Sequence, residues 1–234
     1  MRSFEEYFYG GGLPETLLMK DKRSWISSLF NKIFFGDLVA RHQIRNDFAL
    51  KLMIRKLAES VKQPTSYNRI ANIVSTAGKK ISVDTVIDYI AYLRESWLIL
   101  PFENLSARLS ERESNKKYYF VDNGLLGLFL IDANTSLLEN IVAISLRKQY
   151  EDNVFFYNKN IEVDFVVPDD GLAIQVAYSL ADPTTEKRET DALMKFNAIM
   201  PMRQLIIITK DEEMVIEKDG TVINVLPVWK WLLR

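Results

Sequence analysis

Four side chains in the second half of the sequence are of the types that bind divalent metal ions. Glu162 and Asp164 alternate along a predicted strand and so share one of its faces. Gln175 lies on the next predicted strand, and Glu139 lies on the helix before them. Carboxylate and amide oxygens are hard ligands that suit Mg²⁺. The residues predict a weak Mg²⁺ site, with Glu139 and Asp164 as the metal ligands and the Gln175 oxygen beside them.

The spacing of these residues follows the PD-(D/E)xK pattern of metal-dependent nucleases, with two replacements. Asp164 occupies the first position, but Gln175-Val176-Ala177 stands where Glu-x-Lys is expected. The amide removes a charge from the metal site, and the alanine removes the cation that favours the attacking hydroxide. Lys187 or Arg188, on the following helix, is the candidate replacement cation. The pattern predicts a degenerate site without cleavage, and the alternative is that the carboxylates only cap or orient structure.

Basic side chains in the middle of the sequence are candidate contacts to nucleic acid. Residues 41–117 carry a net charge of +6 and residues 118–234 a net charge of −7, although the whole chain has a net charge of only −1. Such an asymmetry is typical of parts with different partners, and the alternative is two differently solvated surfaces. The predicted DNA contacts are Lys79, Lys80, Arg94, Arg108, Arg112 and Lys116.

The composition excludes several classes of site. The chain has no cysteine and a single histidine, His42, which excludes disulfides, thiolate zinc sites and histidine-rich metal sites. His42 is predicted to lie at the surface or at a helix end. The glycines at 10–12 are not followed by Gly-Lys-Ser/Thr, so this chain has no phosphate-binding P-loop and no ATP hydrolysis is expected of it. We read no membrane span and no signal peptide, and expect a cytoplasmic protein.

These residues must be positioned by three consecutive parts. Residues 1–46 read as a helical segment in which Trp25, Leu29, Ile33, Phe34 and Leu38 recur at helical spacing and predict a buried stripe. Residues 47–121 read as three helices and a β-hairpin, the order of a winged helix-turn-helix.

The helix starts of the middle part and the elements of the last part have their own signals. Asp47, Ser66 and Ser82 are the predicted caps of the three winged-helix helices. Residues 122–234 predict the order αβββαβ of a restriction-endonuclease-like core, with turns at 169–171 and 219–220. The fold class is therefore α+β or α/β.

Several short motifs together resemble one family. These are Gly-Gly-Leu-Pro-Glu at 11–15, Lys-Tyr-Tyr-Phe-Val-Asp-Asn-Gly-Leu at 117–125, Leu-Glu-Asn at 138–140, Glu-Val-Asp-Phe at 162–165 and Arg-Glu at 188–189. In this combination and order the sequence is similar to the C-terminal part of the prokaryotic AAA-type ATP-binding proteins that end in a domain of unknown function. The resemblance implies a lid, a winged helix and a nuclease-like domain, preceded in the full-length protein by an ATPase module.

The predicted function is that of a nucleic-acid-binding or target-sensing C-terminal region of such an ATPase, with an inactive nuclease-like domain. No cofactor is expected in this chain beyond weakly bound Mg²⁺, and ATP would bind only through the missing N-terminal module. The predicted partners are that module, DNA and an unidentified protein, with no membrane. One alternative is an active Mg²⁺-dependent DNA nuclease with an altered site. Another is a protein-interaction module that couples the ATPase to a partner.

Overall fold

The computed structural model describes residues 2–78 and 80–234, which form two compact units. The first unit comprises the chain up to Pro101 together with Glu113–Ala133. The second comprises Phe102–Arg112 together with Asn134–Arg234. The fold class is mixed α and β, which confirms the predicted class. The division into three parts at 46 and 121 stays a prediction.

The first unit begins with helices. They are α1 (Arg2–Gly10), a 3₁₀ turn (Pro14–Leu18), α2 (Lys22–Lys32) and a π-helical segment (Ile33–Ala40). The buried stripe is Ile26, Phe30, Phe34 and Leu38, each at most 5% exposed. The predicted stripe was wrong by one position at Trp25, Leu29 and Ile33, which are only half-buried. Apolar residues occupy adjacent positions in each turn here, so periodicity alone does not identify the inner one.

Helices and short strands follow along the chain, and Phe102–Arg112 of this stretch belongs to the second unit. The elements are α3 (Asp47–Glu59), β1 (Thr65–Ser66), α4 (Tyr67–Ala77), α5 (Val83–Glu95), β2 (Ile99–Asn104), α6 (Leu109–Ser114) and β3 (Asn115–Phe120). β1 pairs antiparallel with β3, with Thr65 opposite Lys116. This is the element order of a winged helix-turn-helix, in which a short first strand joins the strands of the hairpin.

The caps of these helices follow the predicted side chains with one exception. Ser66 accepts a hydrogen bond from the Arg69 amide, and Ser82 accepts one from the Thr85 amide, so both predicted caps are confirmed. The prediction of Asp47 as a cap is wrong, because Asn46 caps α3 and Asp47 is its first residue. Asn and Asp cap equally well, and which of two neighbours does so depends on where the chain turns.

Two glycine-containing motifs interlock inside the first unit. Asp122 caps α7 (Asn123–Gly127), and its second carboxylate oxygen accepts a 2.7 Å hydrogen bond from the Gly12 amide. Gly11 has a φ of +80°, and a Cβ there would collide with the Asp122 carboxylate. The Asn123 side chain donates to the carbonyl of Phe8 at 2.8 Å. These contacts hold α1 against α7, which is why both segments need small or hydrogen-bonding residues.

The second unit has the predicted order of helices and strands. The elements are α8 (Asn134–Tyr150), β4 (Phe155–Asn158), β5 (Glu162–Val167), β6 (Leu172–Val176), α9 (Pro183–Ile199), β7 (Gln204–Thr209), β8 (Met214–Lys218), β9 (Thr221–Pro227) and α10 (Val228–Trp231). From α8 to β7 this is the order αβββαβ. The two predicted turns are present, with φ of +61° at Gly171 and +73° at Gly220.

The sheet of the second unit is mixed. β4, β5 and β6 are antiparallel neighbours, β6 and β7 are parallel, β7 and β9 are parallel, and β8 closes the edge antiparallel to β9. The end of β2 pairs in parallel with β4, with Glu103 opposite Phe155. α9 packs its apolar face on this sheet through Leu193 and Phe196, in a core that includes Ala173 and Ile207. The apolar strand β7 is buried on both faces from Leu205 on, as its sequence predicts.

No helix in the described part of the chain is both long and apolar enough to cross a bilayer.

Candidate nuclease-like site

Asp164 and Gln175 lie side by side on neighbouring antiparallel strands. The pairing of Phe165 with Ile174 brings the preceding residue of β5 opposite the following residue of β6. The Asp164 amide donates to the Gln175 side-chain oxygen at 2.8 Å, and the Val176 amide donates to the Asp164 carboxylate at 2.9 Å. The two side chains therefore each accept a hydrogen bond from the backbone of the opposite strand.

The amide nitrogen of Gln175 is also fully used. It donates to the Glu162 carbonyl at 3.1 Å and to the Glu189 carboxylate at 2.9 Å. Gln175 is only 3% exposed, so these are the partners that replace water. A primary amide has two N–H donors, and both are satisfied here. Gln175 thus links β5, β6 and α9 through three hydrogen bonds.

Glu189, on α9, belongs to this site but is not among the site residues predicted from the sequence. It is 6% exposed, and burial raises the pKa of its carboxyl, with Asp164 and Glu162 adding to the rise. Arg188 opposes this shift by donating to the other Glu189 oxygen at 2.9 and 2.6 Å. The available sequence signal is that Glu189 precedes the buried Leu193 by four residues, which puts a carboxylate on the apolar face of the helix.

The position of the usual nuclease lysine is apolar. Ala177 is 6% exposed and belongs to the core cluster with Leu180 and Leu193. Its backbone N–H donates to the Ile208 carbonyl at 3.0 Å. Of the two candidate replacement cations, Lys187 is exposed, whereas Arg188 is held by Glu189 and has its pKa raised by Glu189 and, more weakly, by Asp164. The positive charge of Arg188 therefore interacts more strongly with Glu189 than with Asp164.

The remaining carboxylates of the predicted metal site are placed differently. Glu162 is exposed, and Glu139 is 3% exposed on α8. Among residues 2–78 and 80–234, no group of three or more His, Asp or Glu side chains is arranged to hold a metal ion. Metal binding by Glu139 and Asp164 stays a prediction.

The predicted nucleic-acid contacts separate into surface and structural residues. Lys80, Arg94 and Arg108 are exposed. Lys79 lies outside the described residues. Arg112 instead donates to the carbonyls of Ala107 and Leu105, both at 2.9 Å, and so closes the loop before α6.

Lys116 is the clearest departure from its predicted role. It is 6% exposed and pairs with Glu113 at 3.2 Å, because its position on β3 turns the side chain inward beside α6. Arg112 and Lys116 thus have structural roles, and a contact to DNA is not expected of either.

The exposed surface of α5, the helix that reads DNA in many winged helices, is mostly acidic and apolar. Its exposed residues are Asp84, Ile87, Asp88, Arg94 and Glu95. DNA phosphates repel carboxylates, so Asp84, Asp88 and Glu95 oppose the binding of DNA to this surface, whereas Arg94 favours it. The ring of His42 stacks on the ring of Tyr92, a residue of α5, with 3.6 Å between the ring centroids. His42 is half-buried, so the single histidine has a packing role.

Comparison with known proteins assigns the first part of the chain to a family. Residues 1–139 match the model described as "Domain of unknown function (DUF8612)". The chain belongs to this family. Residues 134–231 match a second model, "Domain of unknown function (DUF4143)". The second match covers α8 to α10 and thus the nuclease-like site.

Two relatives extend beyond this chain. It is 30% identical over 251 residues to an uncharacterized protein of Methanocaldococcus jannaschii, covering 100% of this chain and 56% of that protein. It is also 30% identical over 240 residues to an uncharacterized protein of Haemophilus influenzae, covering 99% of this chain and 58% of that protein. The chain therefore spans little more than half the length of these relatives. No solved structure matches it.

Proposed function

We propose that this chain is the target-sensing C-terminal region of an AAA-type ATPase, in which the nuclease-like core is a scaffold that does not cleave. The observation that carries this proposal is the hydrogen bonding of Gln175, whose oxygen and both N–H groups are bound to protein partners. A side chain used in this way links strands and helix, and only one lone pair of its oxygen is left for a metal ion.

Two further features of the core support an inert site. Phosphodiester hydrolysis needs a metal or a cation to generate and stabilise the attacking hydroxide. Ala177 itself is packed in an apolar cluster, and Arg188 is engaged by Glu189. Loss of one electrostatic donor typically costs about 10²–10³ in rate. The two replacements together would bring cleavage below a detectable background.

The ATPase link rests on the resemblance and on length. The match to each relative covers 99% or more of this chain but little more than half of the relative. Each relative therefore contains at least one further segment. An ATPase module is the segment that the resemblance implies. This chain would then supply recognition, while the module would bind ATP.

The surface of α5 favours a protein as the second candidate target. Ile87 is 42% exposed between Asp84 and Asp88, a combination that suits a partner with an apolar contact and basic flanks. Lys80, Arg94 and Arg108 remain the exposed cations that support DNA. The DNA-binding assays with Lys80→Ala and Arg94→Ala described below test the DNA target.

The test of the inert core is a cleavage assay with labelled single- and double-stranded DNA in Mg²⁺ and in Mn²⁺. We expect no cleavage by the wild-type chain. Cleavage that is abolished by Asp164→Ala would overturn the proposal in favour of an active nuclease. The double variant Gln175→Glu with Ala177→Lys, which restores the nuclease residues, is the matched comparison. Metal-dependent cleavage gained by this variant would identify a nuclease site that has lost its chemistry.

A further inference from the structure

A polar cleft in the first unit is lined by cationic side chains that have no part in the function proposed above. The cleft has a volume of about 530 Å³ and lies between α2, α3 and the residues that follow α7. Three cationic side chains line it, Arg23, Lys51 and Arg55, against the single carboxylate of Asp21. Its size is within the range of about 300–1,000 Å³ that is typical of ligand pockets.

The two cations on α3 are available for a ligand. Lys51 and Arg55 are exposed and one helical turn apart, so their charges lie on the same face and repel each other. Within residues 2–78 and 80–234, neither side chain forms an ion pair. Neither charge is therefore neutralised by a direct ion pair, although Asp47 and Glu59 lie one helical turn away on either side. An anion between Lys51 and Arg55 would relieve their repulsion.

The opposite wall supplies neutral donors and holds the third cation. Ser24, Ser27, Ser28 and Asn31 follow one another along one face of α2 and line the cleft. The Ser28 hydroxyl already donates to the Ser24 carbonyl at 3.0 Å, which leaves Ser24, Ser27 and Asn31 as the neutral side-chain donors of this wall. Arg23 donates to the Gly127 carbonyl at 3.2 Å, which fixes its position at the rim. The Asp21 carboxylate accepts a hydrogen bond from the Ser24 amide at 3.0 Å, so part of its charge is already satisfied.

From this geometry we propose that the cleft binds a phosphate group. A carboxylate ligand has two oxygens and one negative charge, which is too few for three cations and a row of hydroxyl and amide donors. A phosphate offers more oxygens and more negative charge to these groups. Arginine is suited to phosphate by its planar set of donors. The phosphate belongs either to a nucleic-acid backbone or to a small phosphorylated molecule, and the two sources share this chemistry. The site is in the first unit and uses none of the residues of the nuclease-like core.

The test compares two double variants of the full chain. Lys51→Ala with Arg55→Ala removes the α3 cations, and Arg45→Ala with Arg69→Ala removes two exposed cations that do not line the cleft. Both variants lower the net charge by two, so a difference between them reports position and not total charge. All four side chains are exposed, and thermal unfolding checks that both variants remain folded.

Two probes distinguish the sources of phosphate. Binding of a labelled dT12 oligonucleotide is followed by fluorescence anisotropy from about 50 to 200 mM salt, and binding of inorganic pyrophosphate is followed by calorimetry. We expect the Lys51/Arg55 variant to lose at least about tenfold in affinity for the probe that binds. For the oligonucleotide, the slope of log K against log salt should fall by about 1.4, at about 0.7 per lost contact. Pyrophosphate binding alone would identify a small phosphorylated ligand.

The proposal is overturned if neither probe binds the wild-type chain, or if the two double variants bind equally. Oligonucleotide binding that is lost with Lys80→Ala and Arg94→Ala, and not with the Lys51/Arg55 variant, would reject the cleft while retaining DNA recognition by the winged helix.

Discussion

At the scale of single residues, the hydrogen bond between Gln175 and Glu189 depends on an amide at position 175. An ionised carboxylate at 175 would lie 2.9 Å from that of Glu189, and two such charges at this distance disfavour joint ionisation. The amide at 175 replaces that repulsion by a charge-assisted hydrogen bond. The amide at position 175 and the burial of Glu189 are thus physically linked.

Glu189 carries a pH dependence of stability whose sign follows from its pKa. Burial raises that pKa in the folded protein, so folding favours the protonated carboxyl. The contribution is fully present below the unfolded-state value of 4.5 and is lost as the pH rises through the folded-state pKa. We expect the wild-type chain to lose stability relative to Glu189→Gln as the pH increases above about 4.5.

This is measured by urea denaturation of both proteins at several pH values from about 4 upward to neutral pH. The difference between the two proteins cancels the titration of groups that they share. A constant difference across this range would contradict a raised pKa for Glu189.

At the scale of elements, the contact between Gly11-Gly12 and α7 leaves no space for a side chain at position 11. Replacement of Gly11 by alanine adds a collision with Asp122 to the cost of a positive φ. Gly220 is the matched control, since it has a φ of +73° but no atom within 4 Å of its Cβ position. The left-handed conformation alone costs about 1–2 kcal/mol.

We therefore expect Gly220→Ala to lower the free energy of unfolding by about 1–2 kcal/mol, and Gly11→Ala to lower it by more. Urea unfolding followed by tryptophan fluorescence and by circular dichroism measures both. Equal losses would mean that Asp122 moves away at no cost, and that this contact is looser than its hydrogen bonds indicate.

At the scale of the whole molecule, the charge asymmetry of the sequence is only partly a surface property. The positive middle of the chain includes Lys116 and Arg112. Lys116 pairs with Glu113, and Arg112 donates hydrogen bonds to backbone carbonyls. The exposed cations Lys80 and Arg94 remain as candidate contacts to DNA phosphates.

If duplex DNA binds to the winged helix, Lys80→Ala with Arg94→Ala should lower its affinity and reduce the salt slope by about 1.8, at about 0.9 per phosphate contact. Lys116→Ala should leave the salt slope unchanged and instead lower the stability, because it leaves the strand without its ion pair. Anisotropy titrations at several salt concentrations measure the slopes. A slope that falls with Lys116→Ala and not with the double variant would reverse the assignment.

The sequence by itself determined the features that local chemistry controls. The side chains of Ser66 and Ser82 marked helix starts, and glycines 171 and 220 marked turns, since each acts within a few residues of chain. The order of helices and strands followed from apolar periodicity. The alternation along β5 also placed Glu162 and Asp164 on one face, and the motif spacing identified Gln175 as their neighbour.

Only the tertiary structure decided what these side chains do. Glu189 is distant from Gln175 along the chain, and their hydrogen bond exists because α9 packs on β6. Lys116 lost its predicted surface role because the pairing of β3 turns it inward, and the buried helical stripe shifted by one residue because neighbouring elements selected between two apolar positions. Hydrogen-bond partners such as Gln175 and Glu189 depend on contacts that are distant in sequence, and the local pattern does not identify them.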